Sequence, residues 1–138
     1  MSEVQILVVD DEGELLEQLK FVASKTGGQV FAAASAAEAL RLIDEKDFDL
    51  IITDLRMEKD EAGMDVIERA REKDLWTQVI LVTAYKVGPE AITKGAYDYI
   101  LRTAPGNYLQ RLQRLIPEAL EYRQQRQKEE IDRKVGTC

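Results

Sequence analysis

The stretch VQILVVDD at residues 4–11 decides the fold, together with FDLIITD at residues 48–54. Each is a short aliphatic run rich in β-branched residues, which predicts a strand buried on both faces. Asp10 and Asp11 end the first run, and Asp54 ends the second. Because parallel strands bring their carboxyl ends to one edge of a sheet, where ligands bind, the three carboxylates are expected to converge. Clustered like charges repel unless a cation offsets them, so the pattern predicts a divalent metal site and makes one aspartate a candidate for chemistry.

Composition limits the class of protein. The chain has 138 residues, 45% hydrophobic and 33% charged, which fits one globular domain. Its formal net charge of −7 argues against direct nucleic-acid binding, which needs a basic face. The absence of histidine excludes histidine-based catalysis within this chain, and the single cysteine, Cys138, excludes an internal disulfide. With no apolar run of membrane-spanning length and no basic signal-peptide start, we expect a cytoplasmic protein without a membrane segment.

Predicted strands and helices alternate along the chain. Strands are predicted at residues 4–9, 29–33, 48–53, 79–82 and 97–101. Helices are predicted at residues 12–25, after Ser35, at 65–73, at 89–94 and from about Asn107 onward. Ser35 is a favourable N-cap, and Glu38 completes a capping box. Strands separated by helices predict βαβ units, and hence a mainly parallel sheet with helices on both faces.

The last part of the chain differs in composition. An apolar stripe continues to Leu120, whereas residues 123–134 are charged or glutamine apart from Ile131. We therefore divide the chain into a folded domain at residues 1–120 and a charged helical extension or linker at 121–138. Too few apolar positions follow Leu120 for a stable coiled coil by themselves. Pro117 predicts a kink, or a break at which a second helix starts, because proline removes a helical hydrogen bond.

Four short motifs each lie at the end or the start of a predicted strand: VVDDE at 8–12, DLRM at 54–57, TAY at 83–85 and GAYDYI at 95–100. Together they resemble the receiver domain of two-component response regulators, the CheY-like superfamily. The resemblance covers roughly residues 4–120. It implies a flavodoxin-like three-layer α/β sandwich, with a five-stranded parallel sheet in the strand order 2-1-3-4-5.

The resemblance also implies a phosphoacceptor site. Asp54 would take a phosphoryl group from a kinase phosphohistidine, since a carboxylate is already ionised at neutral pH and needs no general base. Mg²⁺ is the implied cofactor, because the barrier to this transfer is charge repulsion. Asp11 and Asp54 would be direct carboxylate ligands, and Asp10 would bind directly or through water. The backbone carbonyl of Arg56 would complete the protein ligands.

Three further residues complete the implied site. The Thr83 hydroxyl would donate a hydrogen bond to the phosphoryl group, and Tyr99 would move inward as Thr83 moves toward it, so both are switch residues. Arg102 stands where the family has a lysine that contacts the phosphoryl group. Arginine keeps the charge but is longer and planar. The family's lysine is followed by proline, whereas Thr103 follows here, so the peptide bond after Arg102 is expected to be trans.

Two loops differ from the family pattern. The loop after Asp54 is longer and charged, and its Glu58 and Asp60 are solvated residues or residues that tune metal affinity. The segment from Tyr85 to Gly95 is shorter, which predicts a short or distorted fourth helix. Tyr85 itself is expected to flank the phosphorylation pocket. Because the fourth helix belongs to the family's signalling face, partner binding is expected to be atypical.

The assignments have structural alternatives. Asp10 could simply cap the first helix, which is a common role for aspartate. Thr83 could be an ordinary β-branched strand residue, and Tyr99 could be part of the core.

Three functions are compatible with these residues. The first is a signalling receiver, not an enzyme, that is phosphorylated by a sensor histidine kinase or a phosphotransfer protein and controls an output domain or an effector protein, with a homodimer as an option. The second is a receiver-like scaffold that acts by protein binding and is not efficiently phosphorylated. The third is an aspartyl-phosphate phosphatase resembling the haloacid dehalogenase family. That chemistry needs a second aspartate where Arg56 stands, so we rank it last.

Overall fold

The computed structural model describes residues 3–57, 62–84, 92 and 94–136. The described strands are β1 (Gln5–Val9), β2 (Gln29–Ala33), β3 (Leu50–Thr53), β4 (Gln78–Thr83) and β5 (Asp98–Leu101). The described helices of more than one turn are α1 (Gly13–Ser24), α2 (Ala36–Glu45), α3 (Ala62–Lys73) and α4 (Tyr108–Gly136). The strands pair in parallel in the order β2-β1-β3-β4-β5, which confirms the predicted sheet.

Helices cover both faces of the sheet because its strands carry apolar side chains in both directions. On one face, α2 and α3 pack against Leu7, Val9, Ile51, Val79 and Leu81. On the other face, α1 and α4 pack against Ile6, Val8, Leu50, Ile52, Ile80 and Val82. Both faces of the central strands are therefore buried, and a ligand can approach these strands at their ends. The predicted three-layer sandwich is confirmed.

The predicted element boundaries agree with the described ones to within two residues, except at the start of α3. Ser35 caps α2 as predicted, since its Oγ accepts a hydrogen bond from the Glu38 backbone N–H at 3.1 Å. α3 begins at Ala62, earlier than the predicted residue 65. The extra turn forms because Gly63 donates its N–H to the Leu55 carbonyl at 2.8 Å, which brings this turn against the end of β3. Of the helix predicted at residues 89–94, only residues 92 and 94 are described.

The last helix continues through Pro117 without a break. α4 runs as one helix over Tyr108–Gly136, so the predicted alternative of a second helix starting at Pro117 was wrong. Pro117 is exposed, whereas its neighbours Ile116 and Ala119 are buried against the sheet. Tertiary packing of the apolar face therefore outweighs the local cost of proline, about 3 kcal/mol. None of the described helices is long and apolar enough to cross a membrane.

Arg123 attaches α4 to the edge of the sheet at which the strands begin. Its side chain is only 16% exposed, and its guanidinium lies 3.3 Å from Asp49 Oδ1 and 3.7 Å from Asp74 Oδ2. Asp49 also accepts a hydrogen bond from the Gln5 N–H at 2.8 Å, and Asp74 accepts one from the Trp76 N–H at 2.8 Å. One side chain of α4 is thus connected to the first residue of β1 and to the segments that precede β3 and β4. The helix is held to the domain beyond its apolar stripe.

Candidate functional site

Three carboxylates converge where β1 and β3 end. Val9 pairs with Thr53 in the parallel register, so the residues that follow them leave the sheet side by side. The Asp54 N–H donates to the Val9 carbonyl at 3.1 Å, which holds the two strand ends together. Asp10 and Asp54 are 1% and 5% exposed, whereas Asp11 is exposed. One carboxylate oxygen of each of Asp10, Asp11 and Asp54 lies within 4.8 Å of the others.

Local hydrogen bonds orient the two buried carboxylates. Asp10 Oδ1 accepts from the Glu12 N–H at 2.9 Å, and Asp54 Oδ1 accepts from the Leu55 N–H at 2.7 Å. Asp54 also accepts hydrogen bonds from the Thr83 hydroxyl and from the Arg56 backbone N–H. The alternative role of Asp10 as a helix cap was wrong, because the N-cap of α1 is Glu12, without a side-chain capping bond. Asp10 instead closes a turn that directs its carboxylate toward Asp54.

Burial raises the pKa of both buried carboxyl groups. The pKa of Asp10 rises from 3.8 to about 6, chiefly because burial disfavours the charged form, and the charges of Asp54 and Asp11 raise it further. Burial also raises the pKa of Asp54, against the opposing hydrogen bonds from Leu55 and Thr83 and the charge of Arg102. The arrangement therefore disfavours its own full ionisation, which is the electrostatic property expected of a site that receives a cation.

The metal-free protein is expected to lose stability as the pH rises from about 4 through about 6. The folded-state pKa of Asp10, about 6, lies above its ordinary value of 3.8. In this range the folded state keeps a proton that the unfolded state has released, so the stabilisation is present at low pH and disappears above about pH 6. Urea unfolding in chelator should give wild type about 1 kcal/mol less stability at about pH 7.5 than at about pH 5 from this group.

Asp10→Asn removes the titrating group and is the matched variant. It should show a smaller loss of stability between the same two pH values than wild type, because asparagine keeps the acceptor for Glu12 N–H without a charge. Equal losses in the two proteins would mean that Asp10 does not titrate in this range. Adding Mg²⁺ at the higher pH should stabilise wild type more than Asp10→Asn, since a cation that binds the folded state raises its stability.

Thr83 and Arg102 lie at the ends of β4 and β5, beside the carboxylates. Thr83 pairs with Leu101 in the parallel register, and the Arg102 N–H donates to the Thr83 carbonyl at 2.8 Å. The Arg102 charge acts on both Asp10 and Asp54. Its Nε is buried and has no hydrogen-bond partner. No cis peptide bond occurs among the described residues, so the bond after Arg102 is trans, as expected.

The remaining predicted residues take different positions. The Arg56 side chain is exposed, so only its backbone lies against Asp54. Tyr99 is 39% exposed and pairs with Leu81, farther back along the sheet than Thr83. It lines a cavity of about 400 Å³ together with Arg111. The alternative that Tyr99 belongs to the core was wrong for this conformation, since its ring is exposed. Glu58, Asp60 and Tyr85 lie outside the described residues.

Two residues beside the site were missed by the sequence analysis. Gly63 is buried, and a Cβ there would lie 2.3 Å from the Asp54 carbonyl oxygen, so this position requires glycine. A glycine just after the charged loop was the only available signal. Tyr108 donates its hydroxyl to Gln18 Oε1 at 2.7 Å, and burial raises its pKa, with Arg102 and Asp10 among the charges that act on it. Nothing in the sequence pattern distinguishes Tyr108 from other residues that begin a helix.

Comparison with known proteins decides the family. The sequence profile of the response regulator receiver domain matches residues 6–113. The chain belongs to this family. It is therefore a receiver domain of the two-component type, and the order of its five strands is that of CheY-like receivers. As a family, receiver domains are signalling modules.

Relatives of this receiver domain include both curated regulators and solved structures. It is 37% identical over 101 residues to the alginate biosynthesis transcriptional regulatory protein AlgB of Pseudomonas putida, covering 71% of this chain and 22% of AlgB. The CheY-like receiver domain protein of Methanospirillum hungatei aligns with a TM-score of 0.79 and 29% identity, over 91% of this chain and 99% of that one.

A third relative was crystallised in a complex with Mg²⁺ and BeF. It is the response regulator protein TrrA of Thermotoga maritima, which aligns with a TM-score of 0.68 and 26% identity over 84% of this chain and 98% of that one. This receiver chain spans 22–27% of the length of curated relatives such as AlgB and the response regulator PilR of Pseudomonas aeruginosa. Its likeness to these regulators is therefore confined to their receiver part.

Proposed function

We propose that this receiver domain accepts a phosphoryl group on Asp54, with Mg²⁺ held by the carboxylates of Asp10, Asp11 and Asp54. The observation that carries the proposal is the convergence of these three carboxylates within 4.8 Å. Carboxylate oxygens are the ligands that Mg²⁺ prefers. Burial raises the pKa of both Asp10 and Asp54, and a bound cation would offset this cost of ionising them. The backbone carbonyl of Arg56 is the fourth proposed protein ligand.

Phosphoryl transfer to Asp54 exchanges one bond for another. A carboxylate oxygen of Asp54 attacks phosphorus, a P–O bond forms, and the P–N bond of the donor phosphohistidine breaks with its electron pair left on the imidazole nitrogen. Mg²⁺ held by the carboxylates of Asp10, Asp11 and Asp54 would supply positive charge opposite the phosphoryl oxygens. The Leu55 N–H holds the Asp54 carboxylate in place through Oδ1. The planar guanidinium of Arg102 can offer two parallel N–H donors to the phosphoryl oxygens.

Thr83 and Tyr99 are the proposed switch. The Thr83 hydroxyl, which now donates to Asp54, would donate to a phosphoryl oxygen after transfer. A shift of Thr83 toward the phosphoryl group opens space along β4, and Tyr99 on the neighbouring strand would rotate inward to fill it. The exposed position of Tyr99 beside a cavity supports its assignment as the outward state of this switch.

The proposed partners follow from the transfer chemistry and from the relatives. The phosphoryl donor is a sensor histidine kinase or a phosphotransfer protein, since this chain has no histidine of its own. Phosphorylation would control an output domain or an effector protein, in line with the description of AlgB as a transcriptional regulatory protein. We propose residues 1–120 as the receiver unit and residues 121–138 as a helical extension toward such a partner, with a homodimer as an option.

Formation of an aspartyl phosphate tests this function. Wild type incubated with Mg²⁺ and acetyl phosphate should gain the mass of one phosphoryl group, and peptide mapping should place the modification on Asp54. Chelator should prevent the gain, and beryllofluoride with Mg²⁺ should change the fluorescence of Trp76 or the tyrosines. No Mg²⁺-dependent response in either assay would favour the scaffold that acts by protein binding. Turnover of unrelated phosphoesters would favour the phosphatase.

A further inference from the structure

The peptide group between Leu101 and Arg102 is bound at both ends. Its N–H donates to the Thr83 carbonyl at 2.8 Å. Its carbonyl, that of Leu101, accepts from Arg111 Nη2 at 3.1 Å and from the Ala104 N–H at 3.1 Å. Because a peptide group is planar, bonds at both ends fix the direction in which the chain enters Arg102. Thr83 supplies one of these bonds from the phosphorylation site, and Arg111 supplies another from α4.

Arg102 depends on such support more than its neighbours in the sheet do. It follows β5, an edge strand that pairs with β4 alone among the described strands. The residues from 102 to 107 form turns and bends without a regular element, and Thr103 supplies no proline ring to stiffen the chain. The arginine side chain is long and has several rotatable bonds, so its reach depends on the backbone from which it starts.

The described hydrogen bond of the Arg111 guanidinium is made to this peptide group. Its Nη2 donates to the Leu101 carbonyl, and its Nε is buried without a hydrogen-bond partner. Among the described residues it forms no ion pair within 4.0 Å. A half-buried cation that binds a carbonyl oxygen instead of a carboxylate retains much of its desolvation cost. By binding the Leu101 carbonyl, Arg111 helps to orient the next residue, Arg102.

We infer that Arg111 is a positioning residue for Arg102, because it clamps the peptide group from which Arg102 extends toward the phosphorylation site. The inference rests on the proposed function of Asp54 and Arg102. Arg111 also lines the cavity beside Tyr99, so the same guanidinium borders both the switch residue and the backbone of the phosphate-contacting residue. Rearrangement around Tyr99 can reach Arg102 through this single side chain.

The affinity of the full chain for beryllofluoride in the presence of Mg²⁺ tests whether Arg111 positions Arg102. Arg111→Met keeps the aliphatic length and removes the donor, and it is expected to weaken beryllofluoride binding about fivefold, the order of one lost ordinary hydrogen bond. Arg111→Lys keeps a charged donor and should lose less. Arg114→Met is the matched control, since Arg114 lines the same cavity without a bond to Leu101, and its binding should equal that of wild type.

A double-mutant cycle with Arg102→Met separates positioning from general stability. If Arg111 acts through Arg102, then Arg111→Met should change binding by less than about twofold when Arg102 is already methionine. Urea unfolding of each variant shows whether the fold is retained. Equal binding by Arg111→Met and wild type, or an undiminished fivefold loss in the Arg102→Met background, would overturn the inference alone. Absence of Mg²⁺-dependent beryllofluoride binding in wild type would overturn the proposed function, and this inference with it.

Discussion

Asp54→Asn is expected to abolish phosphoryl uptake while the protein stays folded. The asparagine amide cannot form an acyl phosphate, so labelling by acetyl phosphate should fall by at least about 1,000-fold, as when a nucleophile is removed. The amide oxygen can still accept the hydrogen bond from the Leu55 N–H that holds Oδ1 in wild type. Removing one of three clustered charges also relieves repulsion with Asp10, so stability in chelator at neutral pH should equal or exceed that of wild type.

Mass spectrometry and urea unfolding together check this prediction. Asp132→Asn is the matched control, because Asp132 is exposed on α4 and its substitution should change neither labelling nor stability. Labelling of Asp54→Asn at the wild-type rate would place the acceptor elsewhere, with Asp11 the next carboxylate to examine. Loss of labelling together with a large loss of stability would indicate that Asp54 is mainly a structural residue.

Gly63→Ala is expected to destabilise the protein by about 3 kcal/mol, at the upper end for one methyl group forced into a packed interior. The added Cβ would lie 2.3 Å from the Asp54 carbonyl oxygen and 2.8 Å from the Leu55 Cα. Both are backbone atoms at the end of β3, so no side-chain rotation can relieve the overlap. The strand end must shift, and it carries the Asp54 carboxylate with it. Beryllofluoride binding should therefore weaken along with the free energy of unfolding.

Gly13→Ala is the control for the effect of alanine in a helix. Gly13 begins α1, and a Cβ there would have no atom within 4 Å, so the substitution should be neutral or stabilising by up to about 1 kcal/mol. Urea unfolding with and without Mg²⁺ measures both variants. Wild-type stability in Gly63→Ala would mean that the first turn of α3 can move away from β3 without cost.

The sheet and the acidic cluster could be predicted because each is determined by local sequence. In an α/β fold, short continuous apolar runs form the buried central strands of a parallel sheet. The residue that follows each run then lies at the carboxyl edge of that sheet. The carboxylates of Asp10 and Asp54 follow such runs directly, so their meeting required no knowledge of long-range contacts. Ser35 was equally local, since an N-cap bonds within its own helix.

The features that the sequence did not reveal depend on contacts between distant segments. The early start of α3 follows from the approach of Gly63 to the end of β3, which only the folded chain shows. The continuity of α4 through Pro117 follows from packing against the sheet, which local propensity does not include. Likewise, the contact of Arg123 with Asp49 and Asp74 joins α4 to loops far away in the sequence. The contact of Arg111 with the Leu101 carbonyl depends on how α4 packs against the end of β5.

Because α4 is one unbroken helix, its number of residues sets both its length and the direction in which its end points. At about 1.5 Å per residue, its 29 residues form a rod roughly 43 Å long. The rod begins at Tyr108, beside the proposed phosphorylation site, and passes the opposite edge of the sheet at Arg123. Each residue turns the helix by about 100°, so one residue more or fewer after Arg123 would point anything attached to its end in a different direction. For any partner joined to the end of this helix, the length of α4 would therefore set the direction in which that partner faces as well as its distance from the sheet.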